Sequence, residues 1–346
     1  MIDAALTRFI EAIPKADLHV HLDSVPADLL LRLGARNGVA LPFATVEAFN
    51  SWYVLKDLDD FMAKYTTTTS VLLSAEDYRD VAYELGLRMK RQNVRRCEAM
   101  FTYAAAHEGR VELAVVLEGL ARGRKDVQEE LGVDLAFLAD IDRSISPERS
   151  LRFIDEIRPY KEAVGILGIG FDCQETGYPA APHKPAFERA RHYGFRLSAH
   201  AGEEQAAGPE GVWEVLKSLA PDRIDHGNQA IRDEALVAHL AEIQIPLTLC
   251  PMSNVAIQVY PHVGEHPIMA LRERGVFVTL NSDDPTMMES RNDLVFNYAS
   301  VAEAFDLSFD DVADLARAGF QASYASAAEK ERYLAELDSW LAEEGV

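Results

Sequence analysis

The sequence has few cysteines, no long apolar run and a shortage of basic residues, and each shortage excludes a class of protein. Cys97, Cys173 and Cys250 are far apart and form no Cys-x-x-Cys pair, which excludes a zinc ribbon and a redox dithiol. We interpret them as reduced packing residues. No run approaches the ~20 apolar residues that cross a membrane, and the first residues lack the basic start of a secretion signal. We therefore expect a cytoplasmic protein with no membrane partner.

Acidic residues outnumber basic ones by 56 to 34, which gives a formal net charge of −22. The field of such a chain repels polyanions, so we expect no nucleic-acid partner. A small neutral or cationic molecule is the better-matched substrate. Apolar residues make up 48% of the 346 residues, which is enough for a sizeable core, and α/β barrels of this length are routinely one domain.

Eight short β-rich runs alternate with helical segments along the chain. This alternation indicates a parallel sheet, and eight units indicate a closed (β/α)8 TIM barrel over residues 1–346 as a single domain. A helical stretch at about 26–92 is longer than one crossover helix needs, so we expect a lid insertion after the first strand. Residues 309–344 are predicted to form C-terminal helices. The predicted strands are 16–22, 94–101, 134–142, 166–172, 196–200, 223–226, 245–250 and 276–282.

The predicted insertion carries four aromatic residues that fit either of two roles. Phe49, Trp52, Tyr53 and Phe61 would fold over the pocket as part of a lid. Alternatively they would pack between helices, which is the commoner fate of an apolar side chain at helical spacing. The sequence leaves both roles open.

Residue types that bind metals stand at the ends of the predicted strands. His19 and His21 are two apart on the first strand, so their side chains point to the same face and can hold one ion. His200 ends the fifth strand and Asp283 follows the eighth. In a barrel these ends meet at one mouth, and three imidazoles with one carboxylate suit zinc with a position open for water. Because zinc lowers the pKa of bound water toward ~7, one Zn²⁺ per chain indicates a hydrolase.

Three further residues would lie at the same mouth. Glu203 would give a proton to a ring nitrogen if the pocket raises its pKa; the alternative is an ordinary glutamate at a helix N-terminus. His226 would orient the attacking water. Asp284 would accept a hydrogen bond from a substrate N–H, or would only form a turn with Asp283 before Pro285. Because neighbouring strand residues alternate, we expect the side chains of Asp283 and Asp284 to face opposite ways.

These elements resemble the adenosine deaminase family of the amidohydrolase superfamily, in sequence and in order. The likeness runs from about Ile13 to the C-terminal helices and depends on five stretches: 14–23, 200–203, 223–227, 250–254 and 281–285. It implies a zinc-dependent reaction in which hydroxide attacks C6 of a 6-aminopurine, ammonia leaves and the 6-oxopurine remains.

The resemblance also implies roles for individual residues. The match of Glu203 gives a proton to purine N1, the match of His226 assists the water, and the match of Asp284 contacts N7. The partner would be a small-molecule purine base or nucleoside. The residues whose matches bind zinc in that family are His19, His21, His200 and Asp283.

Several stretches are closer to the adenine deaminase branch, but others depart from it. Asp23-Ser24 stands where that branch usually has Glu-Gly, and Asp at this position resembles nucleoside deaminases, in which it contacts the ribose. Gln174 and Glu175 replace a Ser-Ser-Glu type of sequence after the fourth strand, so we expect both to line a pocket that differs. Residues 286–289 replace an aromatic and glycine-rich loop. N6-substituted adenines and aminodeoxyfutalosine therefore stay open as substrates beside adenine and adenosine.

Two other classes of function stay open on the same fold. One is a two-metal amide or phosphoester hydrolase, which generally needs a bridging carboxylate or modified lysine at the end of the fourth strand; residues 168–172 offer no lysine. The other is a catalytically silent barrel that binds a purine as a sensor. His107 and His183 follow strand ends on the catalytic side, where they would touch substrate or face water. The sequence does not predict an oligomeric state.

Overall fold

The computed structural model describes residues 3–104, 107–285 and 293–346. Its strands are β1 (Lys15–His21), β2 (Val94–Thr102), β3 (Asp134–Asp142), β4 (Ile166–Asp172), β5 (Arg196–Ala201), β6 (Arg223–His226), β7 (Leu247–Leu249) and β8 (Val278–Leu280). Each strand pairs in parallel with the next one in the chain. The N–H of Asp283 donates to the oxygen of His19, and the N–H of His21 donates to the oxygen of Asp283, both at 2.8 Å. These bonds join the first strand to the chain after the last, and the predicted (β/α)8 barrel is confirmed.

Helices cover the barrel, and local sequence signals explain several of their ends. Ser74, Ser308 and Ser326 each start a helix with a capping box, in which the serine and the acidic residue three positions later bond each other's backbone N–H. The first helix ends before Ile13, which is extended because Pro14 follows it. No helix in the described part of the chain is long and apolar enough to span a bilayer. The α-helices are α1 (Ala4–Ala12), α2 (Ala27–Asn37), α3 (Val46–Trp52), α4 (Leu58–Thr69), α5 (Ala75–Arg91), α6 (Leu113–Asp126), α7 (Pro147–Ile157), α8 (Lys161–Val164), α9 (Lys184–His192), α10 (Gly208–Ser218), α11 (Glu234–Ile243), α12 (Pro251–Ala256), α13 (Ile268–Glu273), α14 (Leu294–Phe305), α15 (Phe309–Ala322) and α16 (Ala327–Glu344).

The predicted insertion at 26–92 contains α2 to α5, and these helices have different neighbours. Helix α5 packs on the barrel against α6, so closely that a Cβ on Gly119 would lie 2.4 Å from the carbonyl oxygen of Ala75. It is therefore an ordinary crossover helix, and the part of the insertion that can act as a lid is shorter than predicted. Helix α4 reaches the mouth of the barrel, where four of its side chains line a cavity: Leu58, Phe61, Met62 and Tyr65.

Most of the aromatic patch in the insertion forms packing core. Phe49 lies edge-on to Phe43 with ring centroids 5.0 Å apart and stacks on Tyr53 at 4.9 Å. Trp52 packs against Phe43 at 5.2 Å. Of the four predicted residues, Phe61 lines the cavity. The packing role therefore holds for three of them and the pocket role for one.

Paired charges fill the interior of the barrel beneath its mouth. Arg223 donates to Glu98 at 2.7 Å and lies 3.6 Å from Asp225. Arg96 donates to the other carboxylate oxygen of Glu98 at 3.0 Å. All four side chains are buried. Because a buried charge is costly unless it is paired, this network fixes the inner faces of β2 and β6 in one arrangement.

Candidate metal centre and active site

Four predicted side chains meet at the mouth of the barrel. The Nε2 atoms of His19 and His200 lie 3.1 Å apart, and those of His21 and His200 lie 3.3 Å apart. Oδ1 of Asp283 lies 3.5 Å from Nε2 of His19 and 3.4 Å from Nε2 of His21. In a tetrahedral set with bonds of about 2.0–2.1 Å to zinc, neighbouring ligand atoms are about 3.3 Å apart. The spacing of these four atoms therefore fits a zinc ion.

The protonation of these side chains also suits a cation. Burial lowers the pKa of His21 and of His200, and for His200 the neighbouring imidazole of His19 lowers it further. Burial alone would raise the pKa of Asp283, but the imidazoles of His19 and His226 outweigh it and hold that pKa below its usual value. Neutral imidazoles and an ionised carboxylate are the forms that bind divalent metals.

Thr248 and Asp225 lie behind the imidazoles and orient them. Nδ1 of His19 lies 3.2 Å from the carbonyl oxygen of Thr248, which only accepts hydrogen bonds, so Nδ1 carries the proton and Nε2 offers its lone pair to the mouth. The hydroxyl of Thr248 donates to Asp225 at 2.8 Å. The other oxygen of Asp225 accepts from Ser198 and lies 3.7 Å from Nδ1 of His200. One buried carboxylate thus stands behind two of the proposed ligands.

Two residues at the mouth have a left-handed backbone conformation. His226 has φ 64° and Asp283 has φ 62°, which is uncommon for residues other than glycine. This conformation interrupts the alternation of side chains at the strand ends. Asp283 and Asp284 consequently both line the cavity. The prediction that they face opposite ways was wrong.

Glu203 and His226 face the cavity beside Asp283. Nε2 of His226 lies 3.4 Å from Oε1 of Glu203 and 3.8 Å from Oδ2 of Asp283. The amide of Asn254 donates to Glu203 at 3.3 Å. Burial, and then the charge of Asp283, raise the pKa of Glu203 well above its usual range, whereas burial lowers the pKa of His226. At neutral pH a protonated carboxylic acid therefore lies next to a neutral imidazole, which is the pairing that acid–base catalysis needs.

Two further carboxylates line the cavity. The carboxylate of Asp284 forms a hydrogen bond with the side chain of Ser24, and burial raises the pKa of Asp284 well above its usual range. Asp172, at the end of β4, accepts a hydrogen bond from Thr102, and burial raises its pKa to about 7. The serine that departs from the adenine deaminase branch thus supports Asp284.

Gln174 and Glu175 do not line this cavity, and the prediction that they do was wrong. The carboxylate of Glu175 accepts the backbone N–H of Gly202 at 2.9 Å and that of Glu203 at 2.8 Å. Gln174 lies in an adjoining surface groove. The chain turns away from the cavity after Cys173, which has φ 69° and itself lines the cavity. Glu175 instead holds the backbone that carries Glu203.

Asp23 lies one layer behind the cavity wall. Its carboxylate accepts a hydrogen bond from the hydroxyl of Tyr65 at 2.8 Å, and Tyr65 lines the cavity. His107 is buried, with Nε2 3.7 Å from Asp23 and Nδ1 2.9 Å from the hydroxyl of Tyr78. His183 is also buried and lies 2.8 Å from the hydroxyl of Ser150. The prediction that these two histidines would touch substrate or face water was wrong.

The cavity has a volume of about 550 Å³, which is within the range of small-molecule sites. Its inner part is polar and contains the proposed metal ligands, Glu203 and Asp284. Its outer wall is formed by α4 and by Ile257. The predicted loop change at 286–289 lies outside the described residues.

Sequence reasoning missed four residues that shape this site: Asp225, Thr248, Asn254 and Tyr65. A signal existed for Asp225, because a carboxylate next to a strand-end histidine is a frequent partner of metal-binding imidazoles. Asn254 and Thr248 lay inside or beside quoted stretches but carry no chemistry of their own in sequence. Tyr65 is distant in sequence from every motif, and only the packing of α4 brings it to the cavity.

Residues 14–340 match the adenosine deaminase family. The chain belongs to this family. The resemblance stated from the five stretches is thereby confirmed, as is the predicted class of enzyme, a purine deaminase of the adenosine and adenine type.

Relatives that cover nearly the whole chain agree with this assignment. An adenine deaminase of Hahella chejuensis is 36% identical over 96% of this chain and 98% of its own length. An adenine deaminase of Rhodospirillum rubrum is 38% identical over 95% of this chain and 97% of its own length. The crystal structure of an adenine deaminase from Arthrobacter aurescens superposes with a TM-score of 0.90 at 31% identity, covering 95% of this chain and 99% of that one.

A solved amidohydrolase from Burkholderia ambifaria, which contains bound zinc, shares the fold. Its TM-score is 0.89 at 24% identity, and it covers 99% of this chain and 95% of its own. At this identity the likeness concerns the fold alone. The fit of a metal to this chain therefore depends on the distances among its own His and Asp side chains.

Proposed function

We propose that this protein hydrolyses the 6-amino group of adenine, releasing ammonia and the 6-oxopurine, with one zinc ion per chain. The observation that carries the proposal is the convergence of four ligand-type side chains with a buried acid, Glu203, and a neutral imidazole, His226, in one cavity. The curated relatives named adenine deaminase support adenine as the substrate. The proposed ligands are His19, His21, His200 and Asp283.

A zinc ion held by these ligands would supply a water nucleophile at neutral pH. His226 would accept a hydrogen bond from that water and direct it at C6, since its imidazole is neutral. Glu203 would donate its proton to N1, so that the electron pair displaced from C6 by the attack ends on a protonated nitrogen. The proton removed from the water would then pass to the leaving amine, and ammonia would depart as the C6–N bond breaks.

Asp284 would hydrogen-bond to N7 and fix the orientation of the ring. Ser24 holds Asp284 in this position. The remaining residues predicted to bind substrate take supporting roles in this proposal: Glu175 orients the backbone of Glu203, Asp23 binds Tyr65, and Gln174 lies outside the cavity.

The proposal is tested by a turnover panel with zinc-loaded protein on adenine, adenosine, an N6-substituted adenine and aminodeoxyfutalosine. Ammonia release and product mass identify the reaction. Release of ammonia and hypoxanthine from adenine supports the proposal. Purine binding without turnover would instead favour the silent barrel, and a metal content near two per chain would favour the two-metal hydrolase.

The ligand set has its own test in His19→Ala. This variant should lose bound zinc and turnover, as measured by elemental analysis and ammonia release. His192→Ala is the matched control, because His192 is an exposed residue at the end of α9. Full zinc content in His19→Ala would contradict the ligand set.

A further inference from the structure

Tyr65 separates the cavity from the buried carboxylate of Asp23. The tyrosine belongs to α4, and its ring lines the cavity. Its hydroxyl points through the wall and donates to Oδ2 of Asp23 at 2.8 Å. Asp23 is only 5% exposed. The tyrosine therefore binds the carboxylate that any ligand in this part of the cavity would otherwise meet.

The contacts behind Tyr65 hold this arrangement in place. Nε2 of His107 lies 3.7 Å from Oδ1 of Asp23, and Nδ1 of the same imidazole lies 2.9 Å from the hydroxyl of Tyr78. Tyr78 and His107 are both buried. Because a buried carboxylate is costly without partners, Asp23 stabilises the inward position of Tyr65 as much as Tyr65 satisfies Asp23.

The rest of the outer wall is apolar. Leu58, Phe61 and Met62 come from α4, and Ile257 comes from the end of α12. These side chains bury ring or alkyl surface but offer no hydrogen bond to a hydroxyl. Since a hydroxyl that is desolvated without a partner is unfavourable, this wall fits a bare purine edge better than a ribose with its three hydroxyls.

The direction in which a ribose would point follows from the proposed function, on which this inference rests. If Asp284 binds N7, the five-membered ring lies on the Asp284 side of the cavity, and N9 belongs to the same ring. Asp284 is bonded to Ser24, and Ser24 directly follows Asp23. A substituent on N9 would therefore extend toward the wall that Tyr65 forms.

We propose that Tyr65 is a specificity-determining residue that closes the space beyond N9, so that the site accepts a free 6-aminopurine base and rejects its nucleosides. An apolar pocket discriminates against an added polar group by about a hundredfold. We therefore expect kcat/KM for adenine to exceed that for adenosine by about this factor or more.

The test compares kcat/KM for adenine and adenosine in the zinc-loaded wild type, Tyr65→Ala and Tyr65→Phe. Tyr65→Ala should narrow the preference for adenine by about tenfold or more, mainly because adenosine turnover rises, since it removes the ring that fills the space. Tyr65→Phe keeps the ring and should keep most of the preference. Tyr83→Ala is the matched control, because Tyr83 lies on α5 with its hydroxyl on Glu130, outside the cavity.

Each outcome bears on the inference. Equal turnover of adenosine and adenine by the wild type, or an equal loss for both substrates in Tyr65→Ala, would overturn the role of Tyr65 and leave the proposed function intact. Absence of deamination of either substrate by the zinc-loaded wild type would overturn both. If Tyr65→Ala does not fold, inhibition of the wild type by hypoxanthine and by inosine gives the same answer. Hypoxanthine should bind about tenfold tighter or more, and equal inhibition would contradict the inference.

Discussion

Replacing Glu203 with glutamine separates proton donation from every other property of this side chain. Burial raises the pKa of Glu203, so at neutral pH the residue is an uncharged acid, and the amide is uncharged as well. Oε1 of Glu203 accepts the amide of Asn254 at 3.3 Å, and a glutamine oxygen can accept the same bond. The amide can also donate an N–H to a ring nitrogen. It cannot release a proton to that nitrogen.

The expected loss follows from this single difference. A positioned general acid contributes about 10²- to 10⁴-fold to a rate, which corresponds to about 3–5 kcal/mol of activation free energy. Because the variant keeps its shape, charge and hydrogen bond, we expect KM to change by less than about threefold. The free energy of unfolding should change by less than about 1 kcal/mol, since an uncharged group replaces an uncharged group.

The assay measures kcat and KM on adenine together with zinc content and the thermal midpoint. Glu204→Gln is the matched control, because the Glu204 carboxylate binds the backbone N–H of Glu175 at 2.7 Å and the hydroxyl of Thr176 at 2.9 Å, away from the proposed metal ligands. This control should keep kcat within about threefold of the wild type. A Glu203→Gln enzyme with kcat within about fivefold of the wild type, or one that has lost its zinc, would refute the reasoning.

Three further predictions address pH, the support of the ligands and the packing of the insertion. Because Glu203 must be protonated to act, kcat/KM should fall as pH rises through its raised pKa; if the residual rate of Glu203→Gln shows the same alkaline decline, another group causes it. Asp225→Asn should weaken zinc affinity about 10- to 100-fold in a chelator competition, and unchanged affinity would show that the carboxylate does not support the imidazoles. Gly119→Ala places a Cβ 2.4 Å from the carbonyl oxygen of Ala75 and should lower the free energy of unfolding by about 1–3 kcal/mol in urea titrations without changing kcat; an unchanged denaturation midpoint would contradict the close contact of α5 and α6.

The barrel and the meeting of the proposed metal ligands could be predicted from sequence because both follow from strand periodicity. His19 and His21 are two residues apart on one strand, and the ends of parallel strands share one edge, so their convergence with His200 needs no knowledge of side-chain packing. Chemistry and position are encoded there in the same few letters. Strand order and closure then follow from eight successive β/α units.

The errors lie where the backbone leaves regular geometry or where a distant helix packs. Asp283 and Cys173 have positive φ values, so the alternation rule fails at Asp284 and the chain turns Glu175 out of the cavity. No residue type in those stretches predicts a left-handed conformation. Tyr65 reaches the cavity only through the packing of α4, which is a tertiary effect that local periodicity does not contain.

The bonds that join His19 and His21 to Asp283 connect two points of the chain separated by nearly its whole length. During translation the two histidines leave the ribosome early, whereas the aspartate is added near the end. A growing polypeptide therefore lacks a complete set of donors until that late stage. Capture of the ion then reports that synthesis and folding are both finished, and a product cut short before residue 283 lacks the carboxylate that completes the set.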